Sequence, residues 1–273
     1  MREPIVEVLN RDVPWDSFDV SAYVEHNYQN LAPEDSEVLA IVRDHFAAHF
    51  RESTQVRAGR DGGQAALRGL DVGTGGNLYP ALAILPWCRE ITLCDRSESN
   101  VGWLKEQKAA LLASGGEWMW GHFWDILRER TAYHSIEEPR GGLGAAIRIQ
   151  RENLFQLPPV TWDVGTMFFV AESMSTSHDE FKEAVACFLR ALEPGAPFAA
   201  AFVRESKGYP VGSQFFPACS VDETEVRDSL DQYAEKVEVS VVYPAERPLR
   251  EGYTGMIVAC GRRNSELAGH HDR

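Results

Sequence analysis

Apolar and polar positions change period several times along the chain, and each change marks an element. Between residues 33 and 51, Val38, Val42, Phe46 and Phe50 recur every four positions, the stripe of an amphipathic helix. Residues 53–65 are polar and glycine-rich and read as a loop. Short apolar runs then alternate with helical stretches: strand 66–71, helix 78–86, strand 90–95, helix 98–113, strand 146–150, strand 162–170, helix 179–192 and strand 198–203. The run 162–170 is apolar enough to be buried on both faces, and Pro194-Gly195 stops the helix after it. A helix over 222–233 and two closing antiparallel strands, 235–242 and 253–260, complete the pattern. It predicts an α/β fold: a doubly wound, Rossmann-like mixed sheet. Residues 1–60, with Trp15, Phe18, Tyr23 and Tyr28 before the first helix, form an N-terminal lid on a core of 66–262; 263–273 is a polar tail, and 1–273 reads as a single domain.

Composition narrows the function classes. With 44% hydrophobic and 25% charged residues, the chain has the make-up of a soluble globular protein. A net charge of -14 argues against nucleic acid and anionic membranes as partners. Five scattered cysteines, an odd number without a C-x-x-C pair, speak against a disulfide framework. No leader-like apolar segment opens the chain, so the expected location is cytoplasmic. His45 and His49 have the four-residue spacing of helical zinc ligands, but Phe46 stands where a zincin needs Glu, and no metal site is expected. Trp118, Trp120 and Trp124 read as aromatics buried against a helix ending at Leu127, and Gly141-Gly142-Leu143-Gly144 as a loop without the Lys-Ser/Thr of a phosphate site.

The stretch from Leu70 to Tyr79 carries the chemistry: a strand ending at Asp71, the turn Gly73-Thr74-Gly75-Gly76, and a helix starting near Asn77. Glycines there let the backbone take positive φ and approach a ligand. A dinucleotide fingerprint needs a third glycine at position 78, which is Leu78. An acid, Asp71, just ahead of the glycines with Val72 between, and a second acid, Asp95, at the end of the next strand suit S-adenosylmethionine better than NAD. Asp71 would face the ammonium of the methionine moiety and Asp95 the ribose hydroxyls.

These residues resemble the small-molecule methyltransferases that act on nicotinamide, phenylethanolamine and thioethers or indolethylamines, from about Trp15 to Arg262. Ala22 to Tyr28 is similar to the family's lid motif, which implies that Tyr23 and Tyr28 close over the cofactor. The glycine loop matches through Tyr79, implied to lie against the methionine carboxylate, with Gly73 and Gly75 as loop contacts. Cys94-Asp95 and Asn100 match the second motif, with Asn100 on the methionine end. The resemblance also implies cofactor contacts from Asn153 and Leu154 after the third strand and from Phe169 at the end of the fourth. Leu192 to Gly195, then Glu205-Ser206 and Tyr209, match the start of the substrate loop. The chain departs from the family at Gly76, commonly Pro, at Arg96, commonly an adenine-packing side chain, and at Asn153, commonly Asp.

Methyl transfer from a sulfonium is an in-line displacement that needs proximity and removal of a proton from the nucleophile. Glu172, at the end of the fourth strand, is the first candidate for that proton, and Glu205 and Glu251 are the second. Glu172, Glu205, Tyr209 and Glu251 are therefore the candidate substrate contacts. Three readings follow. The first is N-methylation of a small aromatic or heteroaromatic amine, in specialised metabolism. The second is methylation of an indole at C3, and the third a cofactor-binding protein without catalysis.

Overall fold

Strand β1 (Leu67–Val72) stands at the middle of a seven-stranded sheet in the order β3-β2-β1-β4-β5-β9-β8. The computed structural model describes residues 7–57, 67–113, 115, 118–244 and 254–265, with backbone alone for 52–57. Its other strands are β2 (Cys88–Asp95), β3 (Ile147–Arg151), β4 (Val164–Phe168), β5 (Pro197–Arg204), β8 (Ala234–Val242) and β9 (Gly255–Arg263). Strands β1 to β5 pair in parallel, and β9 is antiparallel to both β5 and β8. The chain winds outward from β1 to β3, then returns to place β4 on the other side of β1. Ligands of doubly wound sheets sit at such a reversal, beyond the carboxyl ends of the strands.

Side-chain parity along the strands sorts the core onto two faces. In β5, Phe198, Ala200 and Phe202 pack with helices α7 (His178–Ala191) and α8 (Glu223–Leu230). Ala199 and Ala201 face the other layer, with α2 (Pro33–Arg57), α3 (Tyr79–Ile84) and α5 (Gly121–Leu127). The predicted stripe of α2 is buried, with Val38, Val42 and Phe46 fully so. The helix runs on to Arg57, through the first residues of the stretch expected to be a loop. His45 and His49 are half-buried on it, each pushed down to about 4 by burial, and the described residues form no metal-ligating cluster.

Two expectations are corrected. Residues 141–144 are not a loop but lie within helix α6 (Pro139–Ala146). Pro139 begins it, Glu138 caps it by accepting the Gly141 N–H, and a Cβ at Gly144 would lie 3.0 Å from Leu111 Cβ of α4 (Glu98–Leu112). Glycine there serves close helix packing rather than a turn. Strand β4 ends at Phe168, not at Val170. Phe169 takes φ 60° while its N–H donates to the Ala201 carbonyl at 2.7 Å, and the chain turns out of the sheet. Among the described residues, no helix is long and apolar enough to cross a membrane.

The N-terminal segment covers the carboxyl edge of the sheet. Helix α1 (Val20–Tyr28) starts at Asp19, whose carboxylate accepts the Ala22 N–H at 3.0 Å. Its Val20 and Val24 join Phe18, Tyr209, Val211 and Phe216, so α1 packs on a hairpin absent from the sequence reading, β6 (Tyr209–Val211) with β7 (Gln214–Phe216).

Candidate active site

A cavity lies at the sheet reversal, walled by the ends of β1, β2 and β4, by α1 and by the hairpin. Ten residues singled out in the sequence line it: Tyr23, Tyr28, Gly73, Gly75, Asp95, Asn100, Asn153, Leu154, Phe169 and Tyr209. Asp71 lies directly beneath the glycine turn and is 1% exposed. Tyr79, Glu172 and Glu205 do not line the cavity, and Glu251 lies outside the described residues.

The turn owes its shape to two glycines in the left-handed region, Gly73 at φ 61° and Gly75 at φ 52°. A Cβ on Gly73 would meet Val170 at 2.6 Å, so the end of β4 closes directly on the turn. Backbone bonds tie it to β2: the Thr74 N–H donates to the Cys94 carbonyl at 3.1 Å and the Gly75 N–H to Asp95 Oδ2 at 2.9 Å. The departure at position 76 has a steric cause here. A Cβ on Gly76 would approach Val24 Cγ2 to 2.3 Å and Val20 Cγ2 to 3.0 Å, so the lid helix seats on a glycine where the resembled family has proline.

Three buried polar atoms around this turn have no hydrogen-bond partner: Asp71 Oδ2, Asn77 Nδ2 and Asn100 Oδ1. Each belongs to a side chain otherwise engaged. Asp71 Oδ1 accepts the Thr166 hydroxyl at 2.7 Å, Asn77 Oδ1 accepts the Tyr79 N–H at 3.2 Å, and Asn100 Nδ2 donates to Asp95 Oδ1 at 3.2 Å. Leaving a buried polar group unsatisfied costs on the order of 1–3 kcal/mol, so three together point to a ligand that completes them. Two acceptors and one donor are the complement of an ammonium and a carboxylate on one carbon. Asn77 was read only as a helix start; its short polar side chain at the head of α3 was the available signal.

Electrostatics select the ligand's sign. Burial, reinforced by the nearby Asp95, pushes the Asp71 carboxyl up to about 7. Burial also raises Asp95, against the opposing bonds from the Ser97 and Gly75 N–H groups and the Asn100 amide. Two buried acids side by side favour a cation between them. A pyrophosphate on this turn would face Asp71.

Beyond the ends of β2 and β3 the cavity is lined by Asn153, Leu154, Glu152 and Arg96. Asn153 Oδ1 caps its own turn by accepting the Phe155 N–H at 3.2 Å, and the Arg96 guanidinium donates to the Asn10 carbonyl at 3.1 Å while lining the cavity. An Arg plane can pack on a purine as an aromatic ring would. Tyr23 and Tyr28 share a contact between hydroxyls of 3.4 Å. Tyr79, by contrast, is fully buried behind them, stacked on Phe123 at 5.1 Å, and its hydroxyl donates to Asp35 at 3.0 Å. It supports Tyr28, whose ring it meets edge-on at 6.0 Å, instead of touching the cavity.

The acceptor-side acids are placed differently from the sequence expectation. Glu172 is fully buried: Oε1 accepts the Val203 N–H at 2.9 Å and the Ser173 hydroxyl at 3.0 Å, and its carbonyl accepts the Cys219 N–H. It ties the end of β4 to the end of β5. Glu205 meets Arg204 at 3.1 Å and the Thr254 hydroxyl at 2.8 Å on the outside. In their place, the cavity wall beyond β4 is Phe169, Ser173, Met174 and Tyr209.

No protein-family model and no curated protein matches the chain. Several solved structures share its general layout. The N-methyltransferase NodS of Bradyrhizobium japonicum WM9, in complex with S-adenosyl-L-homocysteine, is 13% identical, with 89% of this chain and 96% of that one covered at a TM-score of 0.47. Magnesium protoporphyrin IX methyltransferase (ChlM) of Synechocystis PCC 6803, with bound S-adenosylmethionine, is 12% identical over 90% and 92% at 0.49. A putative S-adenosylmethionine-dependent methyltransferase of Listeria monocytogenes is 10% identical over 77% and 97% at 0.47.

Proposed function

We propose that the protein transfers a methyl group from S-adenosylmethionine to a small aromatic acceptor. The observation that carries this is the trio of unpaired buried atoms, Asp71 Oδ2, Asn77 Nδ2 and Asn100 Oδ1, around a turn whose acids favour a cation. Asp71 and Asn100 would take the ammonium of the methionine end, Asn77 its carboxylate, and Asp95 the ribose hydroxyls. Bound there, S-adenosylmethionine supplies an electrophilic methyl on a sulfonium, whose leaving group is a neutral thioether. The chain's part is to hold the acceptor in line, exclude water with α1 and remove a proton. The aromatic wall of Phe18, Tyr23, Phe169 and Tyr209 suits a flat acceptor, an aryl amine or nitrogen heteroaromatic. The lid, glycine-turn and Asp95–Asn100 segments support a place near the nicotinamide, phenylethanolamine and indolethylamine methyltransferases.

A second reading keeps the site and moves the attack to C3 of an indole. It is favoured because, among the described residues, the only carboxylates on the cavity wall are Asp95 and Glu152, both on the nucleoside side. A charged ammonium at the β4 end would find no direct counter-ion there.

Calorimetry and mass spectrometry test the proposal. S-adenosylhomocysteine should bind with micromolar affinity and NAD should not. Incubation with S-adenosylmethionine and phenylethylamine, tryptamine, indole or nicotinamide should add one methyl group to at least one of them. Tight NAD binding without heat from S-adenosylhomocysteine would overturn the cofactor, and cofactor binding without any methylated product would leave a non-catalytic binder.

A further inference from the structure

We infer that Ser173 is the group that meets the acceptor's proton and that Glu172 acts through it, as a buried carboxylate behind a hydroxyl at the cavity wall. The inference rests on the methyl-transfer reading and names the proton path of the same site. Ser173 follows the end of β4, lines the cavity beside Phe169 and Met174, and is 7% exposed. Its Oγ donates to Glu172 Oε1 at 3.0 Å. That oxygen is held from the other side by the Val203 N–H at 2.9 Å, and the Tyr209 hydroxyl donates to the Ser173 carbonyl at 3.3 Å. The carboxylate thus has a fixed position, does not itself reach the cavity wall, and has one hydroxyl between it and the cavity.

A serine hydroxyl has one donor and two acceptor lone pairs. With its hydrogen on Glu172, it presents lone pairs to an N–H in the cavity. As the acceptor's electron pair forms the bond to the methyl carbon, the carbon–sulfur bond breaks with its pair on sulfur. The acceptor N–H gives its proton to Ser173 Oγ, and Ser173 gives its own to Glu172 Oε1. The sulfonium's positive charge and the carboxylate's negative charge cancel in the same step. For an indole attacked at C3, the same pair holds and removes the ring N–H. Of the other hydroxyls lining the cavity, that of Tyr23 meets Tyr28, that of Tyr209 donates to a backbone carbonyl and that of Thr74, at the glycine turn, donates to the Asp71 carbonyl; on the wall beyond β4, the Ser173 hydroxyl bonds to the Glu172 carboxylate.

The test compares wild type, Ser173→Ala, Glu172→Gln and the double variant, with whichever of phenylethylamine, tryptamine or indole the wild type methylates. S-adenosylhomocysteine affinity and melting temperature are read alongside pH profiles of kcat/KM. Each single variant should bind S-adenosylhomocysteine within about threefold of wild type and lose roughly 10²-fold in kcat/KM at neutral pH. The double variant should lose no more than the worse single one, because both act on one proton path. For an amine the deficit should shrink as pH rises; for indole it should persist. Ser173→Ala with wild-type kcat/KM, or losses that multiply in the double variant, would overturn the relay even where wild type is active. Should Glu172→Gln not fold, Ser173→Ala decides alone. Binding of S-adenosylhomocysteine with no product from any probe would remove the methyl-transfer reading and this inference with it.

Discussion

The two halves of the cavity wall are built on opposite principles. On the β1–β2 side, short polar side chains and two left-handed glycines leave donors and acceptors unpaired, ready for a ligand. On the β4–β5 side, the polar groups bond to one another: Glu172 to Val203 and Ser173, Tyr209 to the Ser173 carbonyl. The first half is incomplete without a bound molecule. The second is largely complete by itself and offers an aromatic surface with one hydroxyl relay. Recognition of a charged, invariant cofactor requires preformed polar partners, whereas a flat acceptor can be held by burial and shape. Substitutions in the first half should therefore act on cofactor affinity, and those in the second on turnover.

The sharpest break in that comparison is Asp95→Ala. The Asp95 carboxylate accepts the Gly75 and Ser97 N–H groups and the Asn100 amide, so it fixes both the turn and the start of α4 besides its proposed contact with the ribose. Charge-assisted bonds contribute roughly 1.5–3 kcal/mol each. With two of them lost, S-adenosylhomocysteine affinity should fall by about 10²-fold or more in calorimetry. An unchanged dissociation constant in a folded variant would show that the ribose is held elsewhere.

Asp71 should produce a smaller effect with a defined pH dependence. Its carboxyl titrates near 7 in the ligand-free protein, and an ammonium beside it needs the ionised form. Affinity should follow a factor of 1 + 10^(7−pH), weakening by about tenfold from pH 8 to pH 6. Asp71→Asn should bind more weakly at pH 8 and lose most of that slope. The sign for folding is the reverse. A raised pKa stabilises the ligand-free fold fully below the unfolded aspartate range near ~4, and that contribution is lost as pH rises through about 7. A flat affinity profile between pH 6 and 8 would place the ammonium away from Asp71.

How much of this was legible in the sequence follows the same division. The strand–helix alternation, the glycine turn and Asp95–Asn100 could be read because each is local: a few consecutive residues decide both backbone and chemistry. The β4 side depends on long-range pairing. Nothing near Glu172 says that the Val203 N–H, on the next strand, will take its carboxylate and turn it from the acceptor toward the sheet. Tyr79 was placed at the cofactor by motif, but Asp35 on α2, distant in sequence, holds its hydroxyl in the core. The helix over 139–146 escapes a local reading because its glycines look like a turn, whereas Gly144 packs against α4.

The smallest expected effect belongs to Glu205. The sequence placed it among the proton acceptors; the structure puts its side chain 43% exposed, against Arg204 and the Thr254 hydroxyl, outside the cavity wall. Its backbone has φ 53°, held while its N–H donates to the Val221 carbonyl at 2.9 Å. Removing an exposed ion pair costs about 0–1 kcal/mol. A non-glycine residue in the left-handed region costs roughly 1–2 kcal/mol relative to glycine. Glu205→Ala should therefore keep kcat/KM within about twofold of wild type and bind S-adenosylhomocysteine unchanged. Glu205→Gly, which removes the same carboxylate but relieves the backbone, should melt about 2–4 °C above Glu205→Ala. The pair separates charge from conformation: equal melting temperatures would mean that the turn relaxes in solution. A loss of tenfold or more in kcat/KM for both variants, at unchanged cofactor affinity, would move Glu205 into the proton path and give the β4–β5 side a second carboxylate.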